Sequence, residues 1–181
     1  MLEGIKKLHF VGIGGVGMSA IAEVMLDKGY EISGSDLSES AVVKHLKAKG
    51  ATIYKGHDAL NVEGKEALVL SSAIHQDNPE LVAAKAKGLK LFHRSDILAY
   101  LLNDAKGIAV AGAHGKTTTS SMISVVLEHA KVDPTILIGG FVDYLKGNAK
   151  LGKSDYLVAE ADESDGSFLK FYPKIAVVTN I

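Results

Sequence analysis

Twice in this chain a short apolar run ends in glycines and passes straight into a helical pattern, and that local order admits few folds. The first case is the run Lys7–Ile13 with Gly12-Ile13-Gly14-Gly15-Val16-Gly17; the second is Ile108–Ala111 followed by Gly112-Ala113-His114-Gly115-Lys116-Thr117. A strand that turns on glycines into a helix leaves the first helical N–H groups facing the turn, and the helix dipole makes that end attractive to anions. The chain therefore predicts two phosphate-binding turns, each on its own strand–turn–helix unit.

The remaining pattern agrees with an α/β fold. Strands are predicted at Lys7–Ile13, Tyr30–Ser33, Ala51–Tyr54, Ala67–Ser71, Lys90–Phe92, Ile108–Ala111, Thr135–Ile138, Tyr156–Glu160 and Ile175–Thr179. Continuous apolar runs such as "LVL", "YLVA" and "IAVV" are those of strands covered on both faces, as in parallel sheets. Between strands, Met18, Ile21, Ala22, Met25 and Leu26 form one apolar helical stripe, closed by Gly29. Pro79 opens a second helix that runs to Lys87 and stops at Gly88. Repeated βαβ units imply a Rossmann-like, doubly wound parallel sheet over residues 1–104, then an incomplete P-loop-type α/β unit over 105–181. The seam is expected in "NDAKG", and the sequence stops just after a buried-strand pattern, which suggests a piece of a longer chain.

Composition narrows the function classes. A net charge of −1 and no Lys/Arg block give no basic surface for nucleic acid or a membrane. The absence of cysteine removes disulfides, thiolate metal sites and a Cys nucleophile, and fits a cytoplasmic location. No apolar run is long enough for a membrane span.

The glycine turn at Gly12–Gly17 satisfies G-x-G-x-x-G in the right context, and Asp36 follows where an acid for a ribose belongs. The pattern alone does not separate NAD from another ribose diphosphate, and glycines also serve plain strand–helix packing. Ser71-Ser72, Ile74-His75 and His93-Arg94 follow strands, at the sheet edge where such folds bind ligands, although loop capping is the simpler role for each. The second turn has Val110 where the longer P-loop would need glycine, yet it keeps Lys116 to balance phosphate charge and the Thr117 hydroxyl for Mg²⁺. In "LVAEADESDGSF", Glu160 ends a buried strand at the same edge and is a second candidate for the cation. Asp162, Glu163 and Asp165 beside it are as well explained by a solvated loop. Asn148 and Asn180 are weaker candidates, in an exposed loop and at a strand end.

A dehydrogenase has no use for Gly-Lys-Thr with an acidic strand end, and a simple NTPase none for the first unit. An enzyme holding a nucleotide-linked substrate on one unit and ATP on the next needs both. The ordered set "GIGGVGMSAIAEVM", "GSD", "SSAI", "NPE", "HRSDIL", "AGAHGKTTT", "LVAEADESDGSFL" and "VVTNI" closely resembles the Mur ligase family of peptidoglycan synthesis across essentially the whole chain. One position departs from the family pattern: Ala113 stands where Thr is usual, which removes a hydroxyl but keeps the backbone cradle.

The resemblance implies three domains, of which this chain holds the first and part of the second. It also implies a reaction: ATP phosphorylates the carboxylate of UDP-N-acetylmuramate, and the amine of L-alanine displaces phosphate from the acyl phosphate to leave an amide. On this pattern Lys116 supplies charge at the β/γ-phosphates. Gly112, Ala113, Gly115 and Thr118 line them, Thr117 and Glu160 hold Mg²⁺, and His114 and Asn148 lie near the transferred phosphate or a second metal. Gly14, Gly15, Val16 and Gly17 hold the UDP diphosphate, Asp36 lies near the uridine ribose, and Ser71, Ser72 and Ala73 line the nucleotide. Three alternatives stay open: a sister ligase adding a tripeptide, an NAD-linked oxidoreductase, and a binding module with little or no turnover.

Overall fold

The computed structural model describes residues 1–161 and 166–181, which divide into two compact units, Met1–Arg94 and Ser95–Ile181. The first unit is built on β1 (Lys7–Val11), β2 (Glu31–Asp36), β3 (Thr52–Lys55), β4 (Ala67–Leu70) and β5 (Lys90–His93). They form one sheet in the order β3-β2-β1-β4-β5, and every pairing in it is parallel. Parallel neighbours cannot be joined by a hairpin, so helices return the chain across the sheet: α1 (Val16–Asp27), α2 (Ala41–Ala48) and α3 (Pro79–Ala86). Leu8, Phe10 and Val11 on β1 and Leu68 and Val69 on β4 are fully buried, as the continuous apolar runs require. The order reverses between β1 and β4, so the Gly12–Gly17 turn after β1 stands at the switch point of the sheet, where doubly wound folds bind ligands.

Local chemistry sets the helix limits. Asn78 caps α3, its Oδ1 accepting from the N–H groups of Glu80 (2.9 Å) and Leu81 (3.3 Å), with Pro79 in the first turn. Leu81 and Ala84 of α3 then pack with Val11, Val62 and Leu68 in one apolar cluster.

Beside that cluster lies a polar one. The Glu80 side chain is fully buried, and each of its oxygens meets donors. Oε1 accepts from Asn61 Nδ2 at 2.7 Å and lies 3.3 Å from His9 Nε2. Oε2 accepts from Ser35 Oγ at 2.6 Å and lies 2.9 Å from His57 Nδ1. Burial opposes the charge, but the hydrogen bonds from His9, Ser35, Asn61 and His57 outweigh it and hold the carboxyl at about 2, below its ordinary 4.5.

The second unit carries most of α4 (Arg94–Asp104), then β6 (Lys106–Ala111), α5 (Lys116–His129), β7 (Thr135–Val142), β8 (Gly147–Lys150), β9 (Tyr156–Glu160) and β10 (Ile175–Val178). Its sheet runs β10-β6-β9-β7-β8, parallel except for β8 against β7. The division falls after Arg94, the first residue of α4, earlier than the seam expected in "NDAKG". Asn103 explains part of this: its amide donates to Lys170 O (3.0 Å) and its Oδ1 accepts from Tyr172 N–H (2.7 Å), while Lys170 Nζ reaches Asp96 (2.6 Å). Strand β8 was not foreseen in the sequence. Asn148, expected in an exposed loop, lies instead within this edge strand, whose "GNAK" has one buried residue, Ala149, and no apolar run to announce it. No helix among the described residues is long and apolar enough to cross a membrane.

The buried carboxylate yields a pH prediction. Its folded value lies below the unfolded one, so its stabilisation is complete above about pH 4.5 and is lost as pH falls through about 2. Glu80→Gln is expected to cost on the order of 3 kcal/mol at neutral pH. It should also flatten the loss of stability in that acid window, as measured by urea unfolding at a series of pH values. An acid limb as steep in the variant as in the parent would assign the effect to another group.

Candidate functional site

Each unit presents one glycine turn at the carboxyl ends of its parallel strands. In the first, Gly12 N–H and Ile13 N–H both donate to Ser35 O (2.9 and 3.0 Å), Gly15 N–H donates to Gly12 O (3.1 Å), and Gly14 N–H donates to Asp36 Oδ2 (2.8 Å). The N–H groups of Gly14 and Gly15, expected on a diphosphate, are thus engaged within the protein. α1 begins at Val16 and Gly17. Gly15 caps it without a side-chain hydrogen bond, no acidic residue lies in its first turn, and the first intrahelical bond runs from Ser19 N–H to Gly15 O (2.8 Å). An uncapped helix start of this kind favours an anion.

Asp36 stands beside the turn, as its place after β2 predicts, but its carboxylate is turned onto the protein. Oδ2 takes Gly14 N–H, while Oδ1 takes the N–H and hydroxyl of Ser38 at 3.0 and 3.1 Å. Ser71, Ser72 and Ala73 form a turn after β4, closed by Ile74 N–H to Ser71 O (3.1 Å). Ile74 reaches the glycine turn, its Cδ1 lying 3.6 Å from where a Cβ on Gly12 would stand. Ser72 Oγ meets His93 Nε2 at 3.1 Å, and Arg94 Nη1 lies 3.1 Å from where a Cβ on Gly17 would stand. A serine pair, a histidine and a guanidinium therefore gather around this turn at one sheet edge.

In the second unit the turn Gly112–Thr117 links β6 to α5. Gly112 has φ 132°, and a Cβ there would run into the Thr179 hydroxyl, so only glycine lets β6 leave the sheet beside β10. The end of β10 clamps the turn: His114 N–H donates to Asn180 Oδ1 (3.1 Å), and His114 O accepts from Asn180 Nδ2 (2.9 Å) and Thr179 Oγ1 (2.6 Å). Asn180 was a weak candidate in the sequence and Thr179 none; their role is to hold the loop backbone. Ala113, His114, Gly115 and Thr118 are exposed, and Lys116 and Thr117 are half-buried. Gly115 is left-handed and caps α5 without a side-chain bond, while Lys116 Nζ donates to Gly112 O across the turn. The serines that follow face inward: Ser120 and Ser121 donate to the carbonyls of Lys116 and Thr117 (2.8 and 2.7 Å).

Glu160 comes to the same rim from β9, paired in register with Val110 of β6. Its Oε1 is buried and has no hydrogen-bond partner among the described residues. A buried carboxylate oxygen left unpaired is costly, and its chemistry suits a cation or a hydrogen-bond donor. The Gly139-Gly140 pair of β7, which sequence reasoning missed, makes room for this arrangement. A Cβ on Gly139 would stand 2.6 Å from Glu160 Oε2, and one on Gly140 would stand 3.1 Å from Thr117 Cγ2 and 3.9 Å from its hydroxyl oxygen. β7 slips its register against β8 between Leu137 and Val142, the stretch that contains both glycines and faces the strand holding Asn148. Among the described residues no three His, Asp or Glu side chains form a metal cage. A hydroxyl and one carboxylate instead suit a cation that keeps most of its water, as Mg²⁺ does. Asp162, Glu163 and Asp165 lie outside the described residues.

A family model described as "Mur ligase family, catalytic domain" matches residues 7–118. The UDP-N-acetylmuramate–L-alanine ligase of a Hydrogenobaculum strain is 58% identical over 99% of this chain and 40% of its own length. This chain thus spans about 40% of the length of such curated relatives. Among solved structures, the UDP-N-acetylmuramate:L-alanyl-gamma-D-glutamyl-meso-diaminopimelate ligase of Neisseria meningitides superposes with a TM-score of 0.89 at 30% identity, covering 98% of this chain and 61% of that one. The UDP-N-acetylmuramate–alanine ligase of Thermotoga maritima superposes with a TM-score of 0.86 at 34% identity, covering 96% and 41%. With a matching family model over most of its length, the chain belongs to the Mur ligase family.

Proposed function

We propose that this chain carries the substrate-binding and nucleotide-binding parts of an ATP-dependent ligase that joins L-alanine to the carboxylate of UDP-N-acetylmuramate. The observation that carries this reading is the pairing, in one chain, of an uncapped glycine turn at a doubly wound switch point with a Gly-Lys-Thr turn beside an unpaired buried carboxylate oxygen. A curated relative named for alanine reaches 58% identity, and among the solved structures the ligase named for alanine, at 34%, exceeds the one named for a tripeptide, at 30%; both favour alanine as the amine. The tripeptide ligase is the second reading, because the folds are so nearly alike.

The roles of the residues follow from where they stand. The α1 start at Val16-Gly17 receives the diphosphate of UDP, with Gly14, Gly15 and Asp36 shaping the turn and Ser71, Ser72 and Ala73 along the nucleotide. The Lys116 ammonium, held over the turn through Gly112 O, exchanges that carbonyl for the β/γ-phosphates of ATP and balances charge as the γ-phosphoryl passes to the muramate carboxylate. The α5 start at Gly115–Thr118 and the exposed Ala113 line the same phosphates. His114, whose backbone is fixed on both sides, presents its ring to the transferred group, and Asn148 of the edge strand β8 is assigned to the same group by the family pattern. Thr117 and Glu160 are the residues that would hold Mg²⁺, which would supply positive charge against the ATP phosphates. The acyl phosphate loses inorganic phosphate as the amine nitrogen bonds to the carbonyl carbon, and the amine gives up a proton. A cytoplasmic site, where UDP-sugars and ATP are both present, completes the proposal.

Calorimetry on the chain tests it. UDP-N-acetylmuramate is expected to bind and NADH not; the reverse order would sink the ligase reading in favour of an oxidoreductase. Lys116→Ala should weaken Mg-ATP binding about tenfold or more while leaving UDP-N-acetylmuramate binding unchanged. Glu160→Gln should abolish the gain in ATP affinity that added Mg²⁺ produces in the parent, with metal-free ATP binding preserved. Equal Mg²⁺ dependence in parent and variant would remove Glu160 from the cation site.

A further inference from the structure

The buried Glu80 cluster lies outside both glycine turns, yet its hydrogen bonds lead directly to one of them. Ser35, at the end of β2, is fully buried and faces two ways. Its carbonyl accepts from Gly12 N–H and Ile13 N–H, and its hydroxyl donates to Glu80 Oε2 and lies 3.0 Å from His57 Nδ1. The next residue, Asp36, takes Gly14 N–H on its carboxylate and Gly56 N–H on its carbonyl (2.8 Å). Three successive N–H groups of the turn therefore end on the dipeptide Ser35-Asp36. That dipeptide is tied beneath by Glu80 and at its side by Gly56-His57.

Glu80 is itself immobilised. Its N–H is capped by Asn78, Asn61 and Ser35 donate to its two oxygens, and His9 Nε2, whose ring meets Ser33 Oγ at 2.9 Å, stands over Oε1. An apolar residue would fill this space without the desolvation cost of a carboxylate, so packing alone does not account for a charge here. A fully paired polar network is rigid and permits one arrangement of the groups it joins. We propose that Glu80 is a positioning residue for the first glycine turn: through the Ser35 hydroxyl it fixes the carbonyl on which Gly12 and Ile13 hang, and so sets the α1 start for its anion. The consequence for UDP rests on the function proposed above; the positioning of the turn does not.

Backbone amide exchange followed by NMR, together with UDP calorimetry, tests this on Glu80→Gln, Ser35→Ala and the double variant. Each single variant is expected to speed exchange at Gly12 and Ile13 about tenfold more than at the Phe10 amide of β1, whose own change reports the global loss of stability, and to weaken UDP binding by about tenfold. The double variant should be little worse than either single one, because both cut the same link. Ser35→Ala removes only one oxygen and carries the test if Glu80→Gln fails to fold. Unchanged exchange at Gly12 and Ile13, or acceleration spread evenly over β1 and β2, would overturn the proposal. Selective acceleration in a protein whose parent form does not bind UDP would uphold the positioning role and remove UDP as the ligand.

Discussion

Both candidate sites depend on a single constraint, the parallel pairing of strands buried on both faces. Parallel neighbours send every connection across the sheet, and the helix that makes the crossing starts at the carboxyl edge with N–H groups it cannot satisfy itself. Where a glycine is the N-cap, it has no side chain with which to bond those donors. α1 and α5 both begin this way, each on a glycine N-cap without a side-chain bond. The starts of α2 and α3 are closed: Ser40 caps α2 and Asn78 caps α3 through their side chains. The contrast separates helices that serve the sheet from helices that offer a charge-complementary opening.

The two openings are held by different means. The first turn is tied from below, through Ser35 and Asp36, to a buried ionised cluster. The second is tied from the side, by Thr179 and Asn180 at the end of the neighbouring strand. In each case the groups that fix the backbone are distinct from the groups that face the opening. A rigid donor array costs little reorganisation when charge arrives, which is the property that phosphate binding and phosphoryl transfer require.

Much of this was legible in the linear chain. The nine expected strands all form, because short Val/Ile/Leu-rich runs bounded by glycines and alternating with helical stretches suit strands of a parallel sheet. Pro79, Gly29 and Gly88 mark helix ends through backbone geometry alone. Strand β8 escaped because an edge strand with one partner needs almost no apolar signal, and Asn148 was placed in a loop for the same reason. The break between the units falls after the first residue of α4 rather than beyond the helix, and side-chain bonds from Asn103 to the segment around Lys170 and Tyr172 are invisible in local pattern.

The sequence by itself determined the fold class, the two glycine turns and the residue types at them, since each follows from short-range periodicity and the steric freedom of glycine. Only the tertiary structure decided which way the polar groups point. Asp36 turns onto the glycine turn, Thr179 and Asn180 clamp a loop far away in sequence, and Gly139 leaves room for Glu160, whose Oε1 has no partner among the described residues. Those outcomes depend on which strands become neighbours, and strand order is settled by burial over the whole sheet, not by any local stretch of residues.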